Sequence, residues 1–374
     1  MTCFFQNFKF FDIQKYLIFS KTSLKLSENR KKGGEKMLDT LRASTYVNIT
    51  WFNELKGWKD KKNVRGTPFK DKTIYLENGA SVYMNYYPIF RCLSIQFSAS
   101  KVQHGSNAIA YDYSKSDVVE EAIAKVLTDE LYIGYDTTDF QLSRLDLNKD
   151  FVFHDDKVAK LVEDFANKIL PSRCETRRDY ETGYTSQSKK GKGLRVYRKD
   201  KDANLTEEEK AELPPTVRFE FQINKSKLKK IFKCKLNLHQ ILTIPYLAVF
   251  AWNRMLSEYA LDKMILNQHK LYKEASKYLT KSDSVVLKQM NEDPSFNDKD
   301  LRKKQLAVIR KLKEAGICPY SCEVPIQFTI SIRHLIKTLH RKKNELCNRL
   351  LRQRRNYPLI DTNETVKRWY LDSS

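Results

Sequence analysis

The sequence has no run of eighteen or more apolar residues, and its N-terminus has neither the apolar core nor the small-residue cleavage site of a secretory signal. It also has no G-x-x-x-x-G-K-[ST] loop and no ordered series of arginine, histidine-x-x-arginine and tyrosine. The first two absences argue against a membrane-spanning or secreted protein and predict a cytoplasmic one. The other two disfavour an ATPase or helicase and a tyrosine recombinase.

Acidic residues are outnumbered by basic ones, and cysteines are few. The chain has 46 acidic against 68 basic residues and a formal net charge of +22, with a pI of about 9.5. This charge predicts a polyanionic partner, most commonly nucleic acid, although a ribosomal surface or an acidic membrane would suit it too. Of the seven cysteines only Cys318 and Cys322 lie close together, with no second pair or suitably spaced histidines, so we expect reduced thiols rather than a zinc site.

The first 36 residues show no sustained helical or strand period. Residues 32–36 can be encoded by a purine run containing GGAGG, a short distance before the codon of Met37, where a bacterial ribosome-binding site would stand. We therefore expect translation to begin at Met37 and residues 1–36 to be a leader outside the native protein. A disordered basic tail is the alternative, and the intact mass of protein made from its natural transcript distinguishes the two.

After Met37 the pattern predicts an α+β protein with an antiparallel sheet and helices on one face. The runs "KTIYLEN" and "ASVYMNY" flank Asn78-Gly79, a strong hairpin signal, and "RCLSIQFSAS" alternates as a third strand. Asp117 with Glu120 resembles a capping box before one helix, and a second helix is expected after residues 155 and 156. Beyond residue 245 the pattern predicts a mainly helical, basic region.

Three further strand-like segments, "LSRLDLN", "LRVYRK" and "TVRFEFQI", place apolar residues on one face and polar residues on the other. Their polar faces carry Asp146, Tyr197 and Glu220. Four cations share those faces: Arg144, Arg195, Lys199 and Arg218. With the polar face of the earlier strand, formed by Ser94, Gln96 and Ser98, these segments are expected to tile one sheet.

Two carboxylates and a tyrosine among cations suit metal-assisted attack on a phosphodiester. Asp146 and Glu220 offer the hard oxygen ligands that Mg²⁺ or Mn²⁺ prefers, and a metal polarises the phosphoryl oxygen. A phenol has an ordinary pKa near 10, and the neighbouring cations are expected to favour the Tyr197 phenolate. Charge on the solvated face of an amphipathic strand is also ordinary in a basic protein, so a non-catalytic DNA or RNA binder stays as the alternative.

Four blocks, in order, resemble the rolling-circle replication initiators of filamentous phages and related plasmids, the gene II/X replication proteins. They are "IQFSASKVQHGSN" (95–107), "LSRLDL" (142–147), "LRVYRK" (194–199) and "TVRFEFQINKSKLKKIFKCKLNLHQIL" (216–242). The last block is the longest and the most specific. The chain lacks the His-apolar-His pair of the better known rolling-circle initiators, so any metal site is expected to be led by carboxylates or to be assembled differently.

The resemblance implies that residues 37–245 form a nicking and joining domain and that 246–374 form the helical C-terminal domain. Tyr197 would be the nucleophile that nicks one strand and holds its 5′ phosphate. Lys199, as a second catalytic residue, and Arg195 would give it electrostatic support, and DNA contact alone is the alternative role for Lys199. Asp146 and Glu220 fall on the family's acidic positions, where their chemistry suits metal ligation. Origin DNA, the displaced strand, and a host helicase and polymerase would be the partners.

Several cations and one amide are candidates for DNA contact. The block 101–107 matches a family motif at Lys101, Gly105 and Asn107, and His104 beside it is a weaker metal-ligand candidate. The helical segment 330–355 is the most basic stretch and is expected to contact the DNA backbone. The complete predicted set is Lys101, Asn107, Arg144, Arg195, Arg218, Arg341, Lys342, Lys343 and Arg352. The charged insert 198–215 is expected to be a solvated connection rather than a DNA-gripping finger.

Overall fold

The structure is a computed structural model of the 374-residue chain. It describes residues 37–48, 57–107, 109–132, 134–169, 174–180, 182–188, 192–202, 205–263, 267–292 and 299–322, together with 324, 326 and 328. The chain divides into two units between Gly34 and Glu35, and every described residue lies in the second. The expected leader, residues 1–36, therefore lies outside the described residues.

A ten-stranded sheet organises the second unit, and its strands pair antiparallel throughout. The strands are β1 (Leu38–Tyr46), β2 (Lys59–Lys62), β3 (Pro68–Tyr75), β4 (Ser81–Tyr87), β5 (Cys92–Ser98), β6 (Gln141–Val152), β7 (Cys174–Tyr180), β8 (Gly183–Ser188), β9 (Lys192–Arg198) and β10 (Thr216–Asn224). Their order is β2-β3-β4-β5-β1-β6-β10-β9-β8-β7. The first strand of the chain thus lies in the middle of the sheet.

Helices fill the connections and the C-terminal part. They are α1 (Ala99–His104), α2 (Ser116–Leu131), α3 (Asp156–Asn167), α4 (Glu207–Glu212), α5 (Lys225–Phe232), α6 (Leu238–Thr243), α7 (Pro245–Tyr259), α8 (Gln268–Ala275), α9 (Lys281–Glu292) and α10 (Lys299–Glu314). The predicted α+β class, with an antiparallel sheet and a largely helical C-terminal region, is confirmed. None of the helices that the structure describes has the length and apolar character needed to cross a bilayer.

An aromatic core packs the helices against one side of the central strands. On β10, Phe221 contacts Trp252 of α7 with ring centroids 4.7 Å apart. Phe219 and Phe165 of α3 both meet Phe328. Phe219 and Phe221 alternate with polar residues along β10, so their side of the sheet is apolar and the opposite side is left for charged groups. The helical C-terminal segment therefore packs directly on the sheet.

Local signals placed most element ends correctly. The turn at Asn78-Gly79 joins β3 to β4, with Gly79 at a φ of 78°. Asp155 caps α3, and its side chain accepts from the Lys157 N–H. The capping box expected at Asp117 is wrong, because α2 begins one residue earlier, at Ser116, and its N-cap makes no side-chain hydrogen bond.

Candidate active site

The central strands carry one continuous polar face. β10 lies between β6 and β9. On β10, Arg218 lies opposite Tyr197 of β9, and Gln222 lies opposite Asp146 of β6. Directly opposed residues in an antiparallel sheet point to the same side, and Glu220 falls between these two positions of β10 on that side. The sheet therefore has the shared face that the alternation predicted for the tyrosine and the two carboxylates.

Strand β1 adds a carboxylate that sequence reasoning missed. β1 pairs with β6, and the register between them shifts between Leu38 and Leu41. Asp39 lies in this irregularity and is 7% exposed. Ser98 Oγ, from β5 on the other side of β1, lies 3.2 Å from Asp39 Oδ1. Nothing local to "MLDTLRAS" links this aspartate to a segment about a hundred residues away, so only the strand order could reveal it.

Tyr197 is buried rather than presented to solvent. Its side chain is 7% exposed, and the Arg195 guanidinium lies over the ring with Cζ 4.5 Å from the centroid. Burial raises the pKa of the Tyr197 phenol; Glu220 and Asp39 add to the rise, while Arg218 and Arg195 oppose it. Arg218 and Arg195 favour the phenolate, as expected, but the desolvation of the phenolate outweighs their attraction and the net shift is upward.

A glycine accounts for the close packing around Tyr197. Gly183 of β8 lies directly opposite Tyr197. A Cβ added to Gly183 would lie 2.6 Å from Tyr197 Cα and 2.7 Å from Tyr197 Cβ, and still closer to the Val196 carbonyl oxygen. A glycine is therefore required at this position, which the sequence alone did not single out.

Burial, with smaller contributions from neighbouring carboxylates, raises the pKa values of two carboxyl groups on the polar face. Burial raises the pKa of Asp146 to about 6, against the opposing effect of its ion pair with Arg144, and Asp39 adds to the rise. Burial raises the pKa of Glu220 to about 8, with further contributions from Asp39 and Asp146. Within the described part of the chain the Glu220 carboxylate has no hydrogen bond or ion pair. Arg195 and Arg218 oppose the rise at Glu220 without cancelling it.

These residues suit a hard divalent cation as partial ligands. Among the described residues, no three His, Cys, Asp or Glu side chains converge closely enough to hold a metal ion by themselves. Mg²⁺, however, commonly binds through one or two carboxylates, with waters and substrate phosphates completing its shell. Asp146 and Glu220 fit that arrangement, and the mutual repulsion of buried carboxylates is what such an ion relieves.

Lys199 lies beyond the tyrosine strand and does not continue its polar face. β9 ends at Arg198, and Lys199 begins the 3-10 turn Lys199–Lys201. It is 2% exposed, and its Nζ lies 2.9 Å from Asp202 Oδ2. Burial, followed by the charge of Arg218, lowers the pKa of the Lys199 ammonium, and Asp202 opposes this. The strand alternation that grouped Lys199 with Tyr197 ends at Arg198, one residue before Lys199.

One serine connects the block 101–107 to Asp39 and so to the carboxylates of the polar face. Ser98, the N-cap of α1, has its Oγ 2.9 Å from Asn107 Oδ1 as well as close to Asp39. Lys101 and Asn107 line a cavity of about 220 Å³ together with Lys199. Within the described ranges, His104 belongs to no group of three or more His, Cys, Asp or Glu side chains that could hold a metal ion.

The other predicted DNA contacts differ in accessibility. Arg195 is exposed and the Arg144 side chain is 32% exposed. Arg218 is 2% exposed, and its Nε and Nη2 donate to the two oxygens of Asp150 at 2.6 and 2.7 Å. Its DNA contact stays a prediction; what the structure shows is a charged residue opposite Tyr197 on the neighbouring strand. The remaining four, Arg341, Lys342, Lys343 and Arg352, lie outside the described residues.

Comparisons with known proteins show a family match. The Phage_CRI family model, which describes the N-terminal part of a phage replication-associated protein, matches residues 47–281, more than half of the chain. No curated protein matches. A rolling circle replication initiator protein from Geobacillus stearothermophilus is similar over 79% of this chain and 100% of that one, at 14% identity and a TM-score of 0.29.

Proposed function

Because the chain belongs to the Phage_CRI family of replication-associated proteins, we propose that it initiates rolling-circle DNA replication by nicking one strand of a double-stranded origin. The observation that carries the proposal is the placement of Tyr197, Asp146 and Glu220 on one face of adjacent strands, within the matched residues. The face combines a nucleophile, carboxylates and cations, which is what phosphodiester transesterification needs.

In the proposed reaction the Tyr197 oxygen attacks the scissile phosphorus. The bond from tyrosine oxygen to phosphorus forms as the bond from phosphorus to the 3′ oxygen breaks. The phenol proton passes to solvent, and the departing 3′ oxygen takes up a proton. The products are a 5′-phosphotyrosine and a free 3′ hydroxyl, which a polymerase can extend. Reversal of the same chemistry rejoins the displaced strand.

The protein's own groups are assigned as follows. The Arg195 guanidinium, above the tyrosine ring, and the buried Arg218 stabilise negative charge on the phenolate and on the phosphoryl oxygens. Lys199 adds positive charge from the turn after the strand. When bound, Mg²⁺ or Mn²⁺ held by Asp146 and Glu220 would polarise a phosphoryl oxygen.

The raised pKa of Tyr197 supports a site that is completed by DNA. A neutral, buried phenol is a poor nucleophile, so the free protein is expected to be inert. Origin DNA must either displace the Arg195 guanidinium that covers the Tyr197 ring or bind to that guanidinium as well. Duplex unwinding and extension are assigned to a host helicase and polymerase, in the bacterial cytoplasm where they act.

The test is nicking of supercoiled DNA that carries the element's own intergenic region, with Mg²⁺ or Mn²⁺. Wild type should give nicked circles with protein attached to the 5′ end, and Tyr197→Phe should give none. Tyr83→Phe is the matched control, because Tyr83 lies opposite Gln96 on the same sheet face but outside the site. Cleavage by Tyr197→Phe would assign the nucleophile to another tyrosine. Salt-sensitive binding of a verified origin without cleavage by wild type would favour the non-catalytic binder.

A further inference from the structure

A cavity beside the proposed nicking site is built from two segments that are distant in sequence. It has a volume of about 220 Å³, and its lining comes from the α1 region and from the insert that comes after the tyrosine strand. The lining residues are Lys101, Gly105, Ser106, Asn107, Lys199, Leu205, Thr206 and Glu209. Because a protein cavity of about 150 Å³ can hold a benzene ring, this space has room for one unpaired nucleobase.

The insert is held in place by specific contacts and is more than a solvated connection. Ser106 Oγ donates to Glu209 Oε1 at 2.5 Å. The other carboxylate oxygen, Oε2, accepts from the Thr206 N–H at 3.0 Å, closing a capping box at the start of α4. Leu205 is buried. Leu205, which forms part of the cavity wall, and the Glu209 carboxylate are therefore both held in place relative to α1.

The charges around the cavity nearly cancel. Lys199 forms an ion pair with Asp202, and the positive charge of Lys101 helps to lower the pKa of the Glu209 carboxyl. The hydrogen bond from Ser106 is the largest of the effects that lower the pKa of Glu209, so this group stays ionised at neutral pH. A phosphate placed here would lie against a fixed carboxylate. A neutral ligand that both donates and accepts hydrogen bonds suits the cavity better.

The donors and acceptors match one base in particular. Each oxygen of Glu209 has accepted one hydrogen bond and keeps a further lone pair, so the carboxylate can accept from two adjacent N–H groups. Guanine presents such a pair at N1 and N2, and its O6 and N7 accept from lysine. Cytosine, adenine and thymine each lack the paired N–H groups. Leu205 supplies an apolar surface for the plane of the ring.

We propose that this cavity binds a single unpaired guanine of the cleaved strand, close to the scissile phosphate, with Glu209 reading its N1–H and N2–H groups and Lys101 and Lys199 its acceptors. The proposal rests on the proposed function, since a base is unpaired here only if the origin is opened for nicking. The cavity lies near that chemistry, because Lys199 is two residues beyond Tyr197 and Ser98 bridges Asn107 to Asp39.

The test measures binding of the full-length protein to single-stranded oligo(dT) probes, in which one dG, dA or dC is moved through every position. Wild type should bind best when dG occupies one particular position, by on the order of tenfold over dA or dT there. Glu209→Gln should lose most of this preference. Glu208→Gln, which removes an equal charge from an exposed position of the same helix, should keep it. Replacement of that dG by inosine, which lacks the N2 amine, should weaken binding to wild type.

A second measurement does not depend on the fold of a variant. A probe with 6-thioguanine at the preferred position, irradiated on wild-type protein, should cross-link within residues 101–107 or 199–209. The proposal is wrong if no position prefers dG, if Glu209→Gln retains the preference, or if the cross-link falls elsewhere. Loss of the dG preference of wild type on addition of inorganic phosphate would instead identify a phosphate site. Origin nicking by wild type with any of these results would leave the proposed function intact.

Discussion

Tyr197 and Gly183 lie directly opposite each other on adjacent strands, with no room for a side chain at Gly183. The tyrosine backbone occupies the space that a Cβ would need. The position of the proposed nucleophile therefore depends on a residue that carries no functional group.

Gly183→Ala is expected to shift the backbone of Tyr197 and to reduce origin nicking by at least tenfold. The overpacked contact should also lower the free energy of unfolding by about 1–3 kcal/mol. Nicking assays and urea unfolding measure the two effects. Gly134→Ala is the matched control, because nothing lies within 4 Å of a Cβ at that position. Wild-type nicking by Gly183→Ala would show that the site tolerates a shifted tyrosine.

Arg218→Leu is expected to lower the free energy of unfolding by about 3 kcal/mol. This is the lower end of the range for breaking a buried ion pair, because the Asp150 side chain is 31% exposed and water can solvate its charge. The double variant Arg218→Leu with Asp150→Leu should recover much of this loss, since no charge is then left unpaired. Urea unfolding of wild type, the two single variants and the double variant forms the test. Equal stability of Arg218→Leu and the double variant would show that an unpaired Asp150 charge does not destabilise the protein.

The pH dependence of stability reflects the raised pKa values of Asp146, about 6, and Glu220, about 8. Both exceed the unfolded-state values near 4, so the folded protein binds more protons than the unfolded chain between about pH 4 and 8. The free energy of unfolding should therefore fall as pH rises through this window. Urea unfolding at pH 5, 6.5 and 8 measures it.

Glu220→Gln should flatten the upper part of that curve, because the amide does not ionise. Glu212→Gln, a change at an exposed position of α4, should leave the curve as in wild type. A stability that rises from pH 5 to 8 in wild type would contradict the raised pKa values.

Added Mg²⁺ or Mn²⁺ is expected to raise the thermal unfolding temperature of wild type at pH 8, because the ion compensates the ionised carboxylates. The double variant Asp146→Asn with Glu220→Gln should show no such shift. Ca²⁺ serves as a third ion that distinguishes selective ligation from general charge screening. Identical shifts in wild type and the double variant would place the ion elsewhere.

The basic segment 330–355 is expected to contact DNA phosphates. Replacement of Arg341, Lys342, Lys343 and Arg352 by alanine should reduce the slope of log binding constant against log salt by about 0.9 for each phosphate that is no longer neutralised. Fluorescence anisotropy at several salt concentrations measures the slope. The charge-matched control replaces four exposed lysines elsewhere, Lys59, Lys62, Lys281 and Lys304. An equal reduction in both proteins would mean that only net charge matters.

Local sequence patterns were sufficient to predict six of the ten described strands, and the polar side of the central ones, but not β1, β2, β7 or β8. Alternation along "LSRLDLN" and "TVRFEFQI" predicted which side Asp146 and Glu220 occupy, and Asn78-Gly79 predicted the hairpin. The ordered blocks around Tyr197 indicated the family. These signals are local: a strand has a period of two, and a turn depends on the φ angles that its own residues accept.

The meeting of distant segments, in contrast, is visible only in the folded protein. Strand β1 lies between β5 and β6, which brings Asp39 to the cluster, and residues 101–107 join Lys199 and Glu209 around one cavity. Folding also buries Tyr197, which reverses the expected direction of its pKa shift. Strand order, close packing and desolvation depend on contacts between residues distant along the chain, and no local period records them.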